Sequence, residues 1–436
     1  QCSGLQIHYA PVRFWPRPHN LWLRRLVKIT HIKSRQIFDS RGNPTVETDL
    51  IINNNFIGRA AVPSGASKGI YEAIELRDKN HDYNGKGVLK AVDKINNDIK
   101  NKLLNINFDS QEDLDNFLID LDGTINKSNL GANTILSISV AFAKARANFE
   151  NKQLFQAIND SQSFSLPSPM LNIINGGAHA DNELDIQEFM IVPIKYTSIS
   201  KNLKIACEIF HSLKKILKNH YFRVNTGDEG GFAPDIKTTS QALDIISEAV
   251  ELAGYKLGEE VCLALDVAAN ELYKDGKYYF NGEKSIFTNY ELVKFYENLC
   301  DKYPIISIED PFFEQDLEGW KLLTEKLGGK INIVGDDLFV TNPVKLQKGI
   351  NDKLANSILI KMNQIGTLTE TLQSIELAKK NNFIHIISHR SGETEDTTIA
   401  HIAVATNSPF IKTGSISRTD RVCKYNELMR IEELIA

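Results

Sequence analysis

The stretch Pro304-Ile305-Ile306-Ser307-Ile308-Glu309-Asp310-Pro311 decides how this chain is read. A short β-branched apolar run of this kind is a buried strand. Pro311 cannot continue a ladder, so the strand stops there with two acids at its C-terminal lip. Two other runs end alike: Val261-Cys262-Leu263-Ala264-Leu265 stops at Asp266, and Ile331-Asn332-Ile333-Val334-Gly335 stops at Asp336-Asp337. Three strands that deliver carboxylates at one end call for a cation between them.

Outward from that stretch, the chain after Met170 repeats strand, polar tip and helix. The tips fall at Asp266, Glu309, Asp336, Lys361, His389 and Lys412. After the first interval, which holds a hairpin-like segment at Tyr273–Phe280, they recur about every 25 residues, the length of one βα unit. Helical patterns lie between them at Tyr290–Cys300, Leu317–Leu327, Pro343–Ile350 and Leu368–Lys380. A parallel α/β barrel with its chemistry at the C-terminal face of the strands follows. Before it, Lys28–Phe38, Thr45–Ile52 and Phe56–Val62 read as an antiparallel meander with turns at Arg41–Pro44 and Asn53–Asn55. Helical patterns then cover Val88–Ile99, Asp109–Ile119 with Ser110 as a cap, and the apolar Asn133–Phe149. The expected division is an extension at 1–26, an N-terminal α+β lid or capping domain at 27–160, a linker at 161–169 and a catalytic barrel at 170–436.

Composition agrees with a globular protein: 436 residues, 42% hydrophobic and 24% charged. No apolar run approaches the roughly 20 residues of a membrane helix. The five cysteines are scattered without a CxxC pair, which argues against a disulfide framework or structural zinc and for a reducing compartment. Residues 1–38 hold seven Lys or Arg and no acid, leaving 43 bases against 55 acids, a net −12, over 39–436. An acidic body is a poor nucleic-acid surface. The Arg-rich residues 1–26 are compatible with an organelle transit peptide, a tag-like segment or a disordered arm. The expected location is cytoplasmic, with organelle import through that extension left open.

Asp266, Glu309 and Asp336 offer only oxygen, a donor set that suits Mg²⁺ better than zinc or copper. An acid at a strand end can also simply cap the next helix. Three on adjacent strands would repel one another without a cation. Lys361 ends the run Ser357–Ile360 and is placed to act as a base, burial and a nearby cation favouring its neutral form. A snorkelling lysine or plain salt bridge is the alternative. Lys412 stays charged and neutralises an anionic substrate. Arg390 beside Ser391, ahead of a helix, makes a phosphate cradle. The glycine-rich loop Thr226–Pro234 brings acids close to a ligand. Pro63-Ser64-Gly65-Ala66-Ser67-Lys68-Gly69 suits a lid and lacks the spacing of a nucleotide-binding P-loop.

Together these phrases resemble the enolase family. Phe38–Thr45 (FDSRGNPT), PSGAS, Asn175–Ala180 (NGGAHA), Gln187–Met190 (QEFM), GDEGG, SIEDP, GDDL, Lys361–Gly366 (KMNQIG), SHRSGETED and IKTGS stand in the family's order from about residue 28 onward. INGGAHADNELDIQEFM and IKTGSISRTDRV resemble bacterial-type members most. The resemblance implies an enolase-type (β/α)8 barrel and reversible dehydration of 2-phosphoglycerate to phosphoenolpyruvate, with two Mg²⁺ ions per site, the second arriving with substrate. It implies that Asp266, Glu309 and Asp336 hold the first ion and that Ser67 ligates the second. Lys361 becomes the base at C2 and Glu229 the acid at the C3 hydroxyl. His179, Glu188 and His389 bind substrate or support the acid, Arg390 and Ser391 grip the phosphate, and Lys412 faces the carboxylate. A lysine base assisted by magnesium is the known pattern of that superfamily. A homodimer, or an octamer of dimers, is implied as well. Lys68 departs from the family's usual lid threonine and is expected to alter closure or phosphate affinity modestly. The rivals are a superfamily enzyme acting on another carboxylate, and a catalytically silent binding or surface protein of the same fold.

Overall fold

The computed structural model describes residues 26–65, 69–161 and 163–435. The expectations for Ser67, Lys68 and residues 1–25 lie outside these.

Strands β1 (Val27–Phe38), β2 (Pro44–Ile52) and β3 (Phe56–Ala61) form the meander, and β4 (Asn107–Phe108) adds to the free edge of β1. Alternation along β2 buries Val46, Thr48, Leu50 and Ile52, as period-two patterning requires. The helical stretch after it is broken: α1 (Leu89–Asp93) passes through a π-turn segment, Lys94–Ile99, into α2 (Lys100–Leu103). Next come α3 (Gln111–Asp122), α4 (Ala132–Phe149) and α5 (Leu154–Ile158). Ser110 caps α3 by accepting from the Asp113 amide, and Gly123 at φ 69° ends it in the left-handed region. Helix α4 is buried on nearly every face and packs across β2 and β3.

The barrel opens with β5 (Ser168–Asn175) and β6 (Glu188–Pro193), followed by α6 (Ile199–Asn219), α7 (Thr239–Leu252) and β7 (Val261–Asp266). A small sheet of β8 (Tyr273–Lys274), β9 (Lys277–Phe280) and β10 (Ser285–Phe287) precedes α8 (Asn289–Lys302). Alternation then runs β11 (Ile305–Glu309), α9 (Leu317–Leu327), β12 (Asn332–Gly335), α10 (Pro343–Asp352), β13 (Ser357–Ile360), α11 (Met362–Ile365), α12 (Leu368–Lys380), β14 (Ile384–Ser388), α13 (Thr398–Ala405), β15 (Phe410–Lys412) and α14 (Thr419–Ile435). The eight barrel strands close in the order β11-β12-β13-β14-β15-β5-β6-β7. Caps punctuate the repeat: Ser198, Thr238, Thr288, Asp316, Asn342 and Thr367 each accept an amide of the helix they begin.

The barrel is not wholly parallel. Strand β6 runs antiparallel to both β5 and β7. Only a loop and a 3₁₀ turn (Gly177–His179) join β5 to β6, and a parallel return would need a crossover helix. The reversal has a consequence for chemistry, because the first residue of β6, Glu188, lies at the same rim as the last residue of β7, Asp266, its register partner. Met170, Met190, Val192, Ala264, Val334, Leu359 and Ile386 pack as one apolar cluster inside the strands and close the barrel below that rim. Among the described residues Cys207, Cys262, Cys300 and Cys423 are free, and no helix is long and apolar enough to cross a membrane.

Candidate active site

Strand ends bring the acids together. Register sets Glu309 beside Asp266, and Asp336 follows β12, which pairs with β11. All three are buried, as is Glu188. Lys412, the last residue of β15, reaches across: its Nζ lies 2.7 Å from Asp266 Oδ2, 2.8 Å from Glu309 Oε2 and 3.2 Å from Glu188 Oε2. Burial alone would lower this amine's proton affinity, but Asp266, Glu188 and Glu309 hold it well above the usual lysine range. Lys361 Nζ pairs with Asp336 Oδ2. Burial lowers its pKa, yet contact with Asp336 outweighs burial and leaves it raised.

Oxygen donors suited to a hard cation are present, and one of them is unanswered. Glu309 Oε1 is buried with no hydrogen-bond partner. Burial and then Asp266 push the Glu309 carboxyl well above its ordinary range. Such a group fits a divalent ion. Among the described residues, donor atoms lying within 4.8 Å of one another form two groups, His179–Glu188–Glu229 and Asp310–Asp336–Asp337. Asp266, Glu309 and Asp336 are not one of those groups; Lys412 lies against the first two and Lys361 against the third. Asp310 and Asp337 thus join the candidate ligands. Asp310 accepts the amides of Asp336 and Asp337 at 2.8 and 3.0 Å.

The second cluster surrounds Glu229, carried on a turn where Gly230 has φ 87° and a Cβ would stand 2.4 Å from Ser417 O. Asn172 donates to Glu229 Oε2 at 3.0 Å, and His389 Nε2 lies 3.3 Å from Oε1. His179 Nδ1 stands 3.8 Å from Glu229 and 3.7 Å from Glu188. The two carboxyls are driven apart. Burial, then Glu229, raises Glu188 well above normal. Burial would raise Glu229 too, but His389, His179, Arg421 and Lys412 hold it well below. Burial pushes His389 well down, so Arg421 and Lys412 are the dependable positive neighbours of Glu229. A cleft of about 500 Å³ opens beside this cluster, lined by Gly177, Ala178, Gln187, Val267 and Ala268 among others.

Arg390 and Ser391 follow β14 and are buried at the same rim. Arg390 Nη1 lies 2.9 Å from Glu72 Oε2. Besides Asp310 and Asp337, four residues absent from the sequence-based site belong to it. Arg421, at the start of α14, meets His389 Nδ1 at 2.5 Å and donates to the carbonyls of Arg390 and Ser391 at 2.6 Å each. Gln364 donates to Asp336 Oδ1 at 2.8 Å, and Glu72 and Asn172 make the contacts given above. Arg421 and Gln364 sit inside the phrases IKTGSISRTDRV and KMNQIG, the available signal; Glu72 and Asn172 carried none.

Comparison with known families covers the same ground. Residues 29–158 match the model described as enolase, N-terminal domain, and residues 163–436 match enolase, C-terminal TIM barrel domain. A four-stranded capping sheet with helices, a closed eight-stranded barrel and these two matches show that the chain belongs to the enolase family.

Proposed function

We propose that this protein catalyses the reversible, Mg²⁺-dependent dehydration of 2-phospho-D-glycerate to phosphoenolpyruvate, a hydro-lyase step of glycolysis and gluconeogenesis. The observation that carries the proposal is one rim holding an amine, Lys361 with Asp336, and a carboxylate–imidazole cluster around Glu229. Lys361 follows β13, and the loop carrying Glu229 packs against β5, three places on in the ring of eight. Acid and base come from different loops, which suits proton removal and hydroxide loss on opposite faces of a bound substrate.

A C2 hydrogen beside a carboxylate is barely acidic, because its removal puts a second negative charge on that group. Asp266, Glu309 and Asp336 would hold a first Mg²⁺ and Ser67 a second, and the bound ions would supply positive charge that stabilises it. Lys412 adds a fixed positive charge to the substrate carboxylate. Lys361 would act as the base at C2: burial, Arg390 and Lys412 lower its pKa, against Asp336 and Glu309, which raise it. Glu229 delivers a proton to the departing C3 hydroxyl. Glu188 and His179 stand beside it, His179 Nδ1 lying 3.7 Å from Glu188 and 3.8 Å from Glu229. His389 and Arg421 orient Glu229, while Arg390 and Ser391 hold the phosphate. Cytoplasmic activity as a homodimer, or an octamer of dimers, goes with this proposal, and sedimentation reads the assembly.

Incubation with 2-phosphoglycerate and Mg²⁺ should generate the ultraviolet absorbance of an enol phosphate, and glycerate without its phosphate should not. No product from 2-phosphoglycerate at any Mg²⁺ concentration would overturn the proposal.

A further inference from the structure

Arg390 is already engaged by an internal anion. Its Nη1 donates to Glu72 Oε2 at 2.9 Å and reaches Asn363 Oδ1 at 3.4 Å. The guanidinium also lies so close beneath Gly65 that a Cβ there would stand 1.7 Å from Nη2. The other Glu72 oxygen, Oε1, accepts from Gln364 Nε2 and from the Gly69 amide, each at 3.3 Å. Gln364 Nε2 donates to Asp336 Oδ1 as well, at 2.8 Å, and Gln364 Oε1 accepts from Thr341, whose Oγ1 accepts the Lys361 amide. Glu72, Arg390, Gln364 and Thr341 are all buried. One carboxylate of the N-terminal domain thus joins the arginine to the acid that pairs with Lys361.

A buried ion pair is a weak device for stability, since desolvation of both partners offsets their attraction. The set of donors around Glu72 is better described by what else would fit it. Guanidinium and amide groups converging on two oxygens are what a phosphate requires. We infer that Glu72 is a positioning residue that acts through Arg390: its carboxylate holds the guanidinium when no phosphate is bound, and the substrate phosphate competes with it for that group. This inference rests on the proposed role of Arg390 as the phosphate grip. Competition of this kind weakens substrate and product alike. It favours release of a phosphorylated product at the cost of some affinity.

Calorimetric titration of inorganic phosphate into the Mg²⁺-loaded protein tests it. Glu72→Gln should lower the Kd for phosphate by about tenfold, the scale of one charge-assisted contact no longer opposed. In turnover, KM for 2-phosphoglycerate should fall with it and kcat should not rise. Phosphate binding no tighter than in the wild type would overturn the inference, leaving Glu72 a purely structural partner. Arg390→Gln separates the two ideas. Wild-type phosphate affinity in Arg390→Gln would defeat the assignment of Arg390 as the grip. Lost affinity there, with Glu72→Gln unchanged, would defeat the competition alone. Should Glu72→Gln fail to fold, Glu72→Asp draws the charge back by one methylene and is expected to tighten phosphate by a smaller factor; wild-type affinity in that variant would also overturn the inference.

Discussion

Glu309 carries the conflict between stability and chemistry on a single side chain. It is buried beside Asp266, its Oε1 has no hydrogen bond, and its carboxyl is pushed well up. Replacing it with glutamine keeps the shape and removes one of the two carboxyls crowded together there. Glu309→Gln is therefore predicted to raise Tm in the absence of Mg²⁺ and to abolish most of the increase in Tm that Mg²⁺ gives the wild type. A calorimetric scan with and without Mg²⁺ reads both; an unchanged Mg²⁺ increment would remove Glu309 from the ligands. The strand-end placement of Glu309, Asp266 and Asp336 was legible because strand ends are visible in a linear pattern. The partners that tune them were not. Glu72 lies 318 positions from Arg390, and Asn172 lies 57 from Glu229. No local periodicity carries such pairings.

Between elements, the clearest joint is the start of α12, which the N-terminal domain grips. Asp115 on α3 accepts from the Thr369 amide at 2.9 Å and its hydroxyl at 2.6 Å, and Ser139 on α4 accepts the Leu368 amide at 3.0 Å. Burial pushes Asp115 from 3.8 to about 6, against the hydrogen bonds from Thr369, Ser139 and Gln111. A carboxyl raised on folding contributes stability that is whole below 3.8 and is lost as pH climbs through about 6. Asp115→Asn should then gain on the wild type in Tm across that window; parallel curves would show that Asp115 titrates normally. At the other end of the chain's first long helix, Ser110→Ala removes the α3 cap and should cost about 1 kcal/mol in denaturant unfolding. Helix and strand positions were largely readable from period and caps. The reversed direction of β6 was not, because alternation is the same in either direction and only the short β5–β6 connection decides it. The two-residue β4 and the π-turn segment within 94–99 are too short for any period to show.

Over the whole molecule, the N-terminal domain is fastened to the barrel by charge as well as by apolar contact. Asp396 of the barrel meets Lys144 on α4 at 2.7 Å and accepts the Ala61 amide at 3.0 Å. Burial would raise its pKa, but Lys144 and Thr398 bring it from 3.8 down to about 2. A depressed carboxyl contributes stability present above 3.8 and lost as pH falls toward about 2. Lys144→Met should start acid unfolding at a higher pH, which circular dichroism along a pH titration checks; coincident titrations would mean that the pair contributes nothing. The two-part architecture and the rim where the acids gather were both legible, since length, the change of texture near residue 170 and repeated strand tips all appear in order. The charge state of Lys361 was not, because it depends on which cation Asp336 faces.

That dependence gives the most direct test of the whole account. In deuterated buffer with Mg²⁺, exchange of the C2 hydrogen of 2-phosphoglycerate reports the base without requiring the hydroxyl to leave. Glu229→Gln should still exchange that hydrogen while forming little phosphoenolpyruvate, and Lys361→Ala should do neither. Exchange at the wild-type rate in Lys361→Ala would contradict the assignment of Lys361 as the base, and with it the chemistry proposed for this barrel rim.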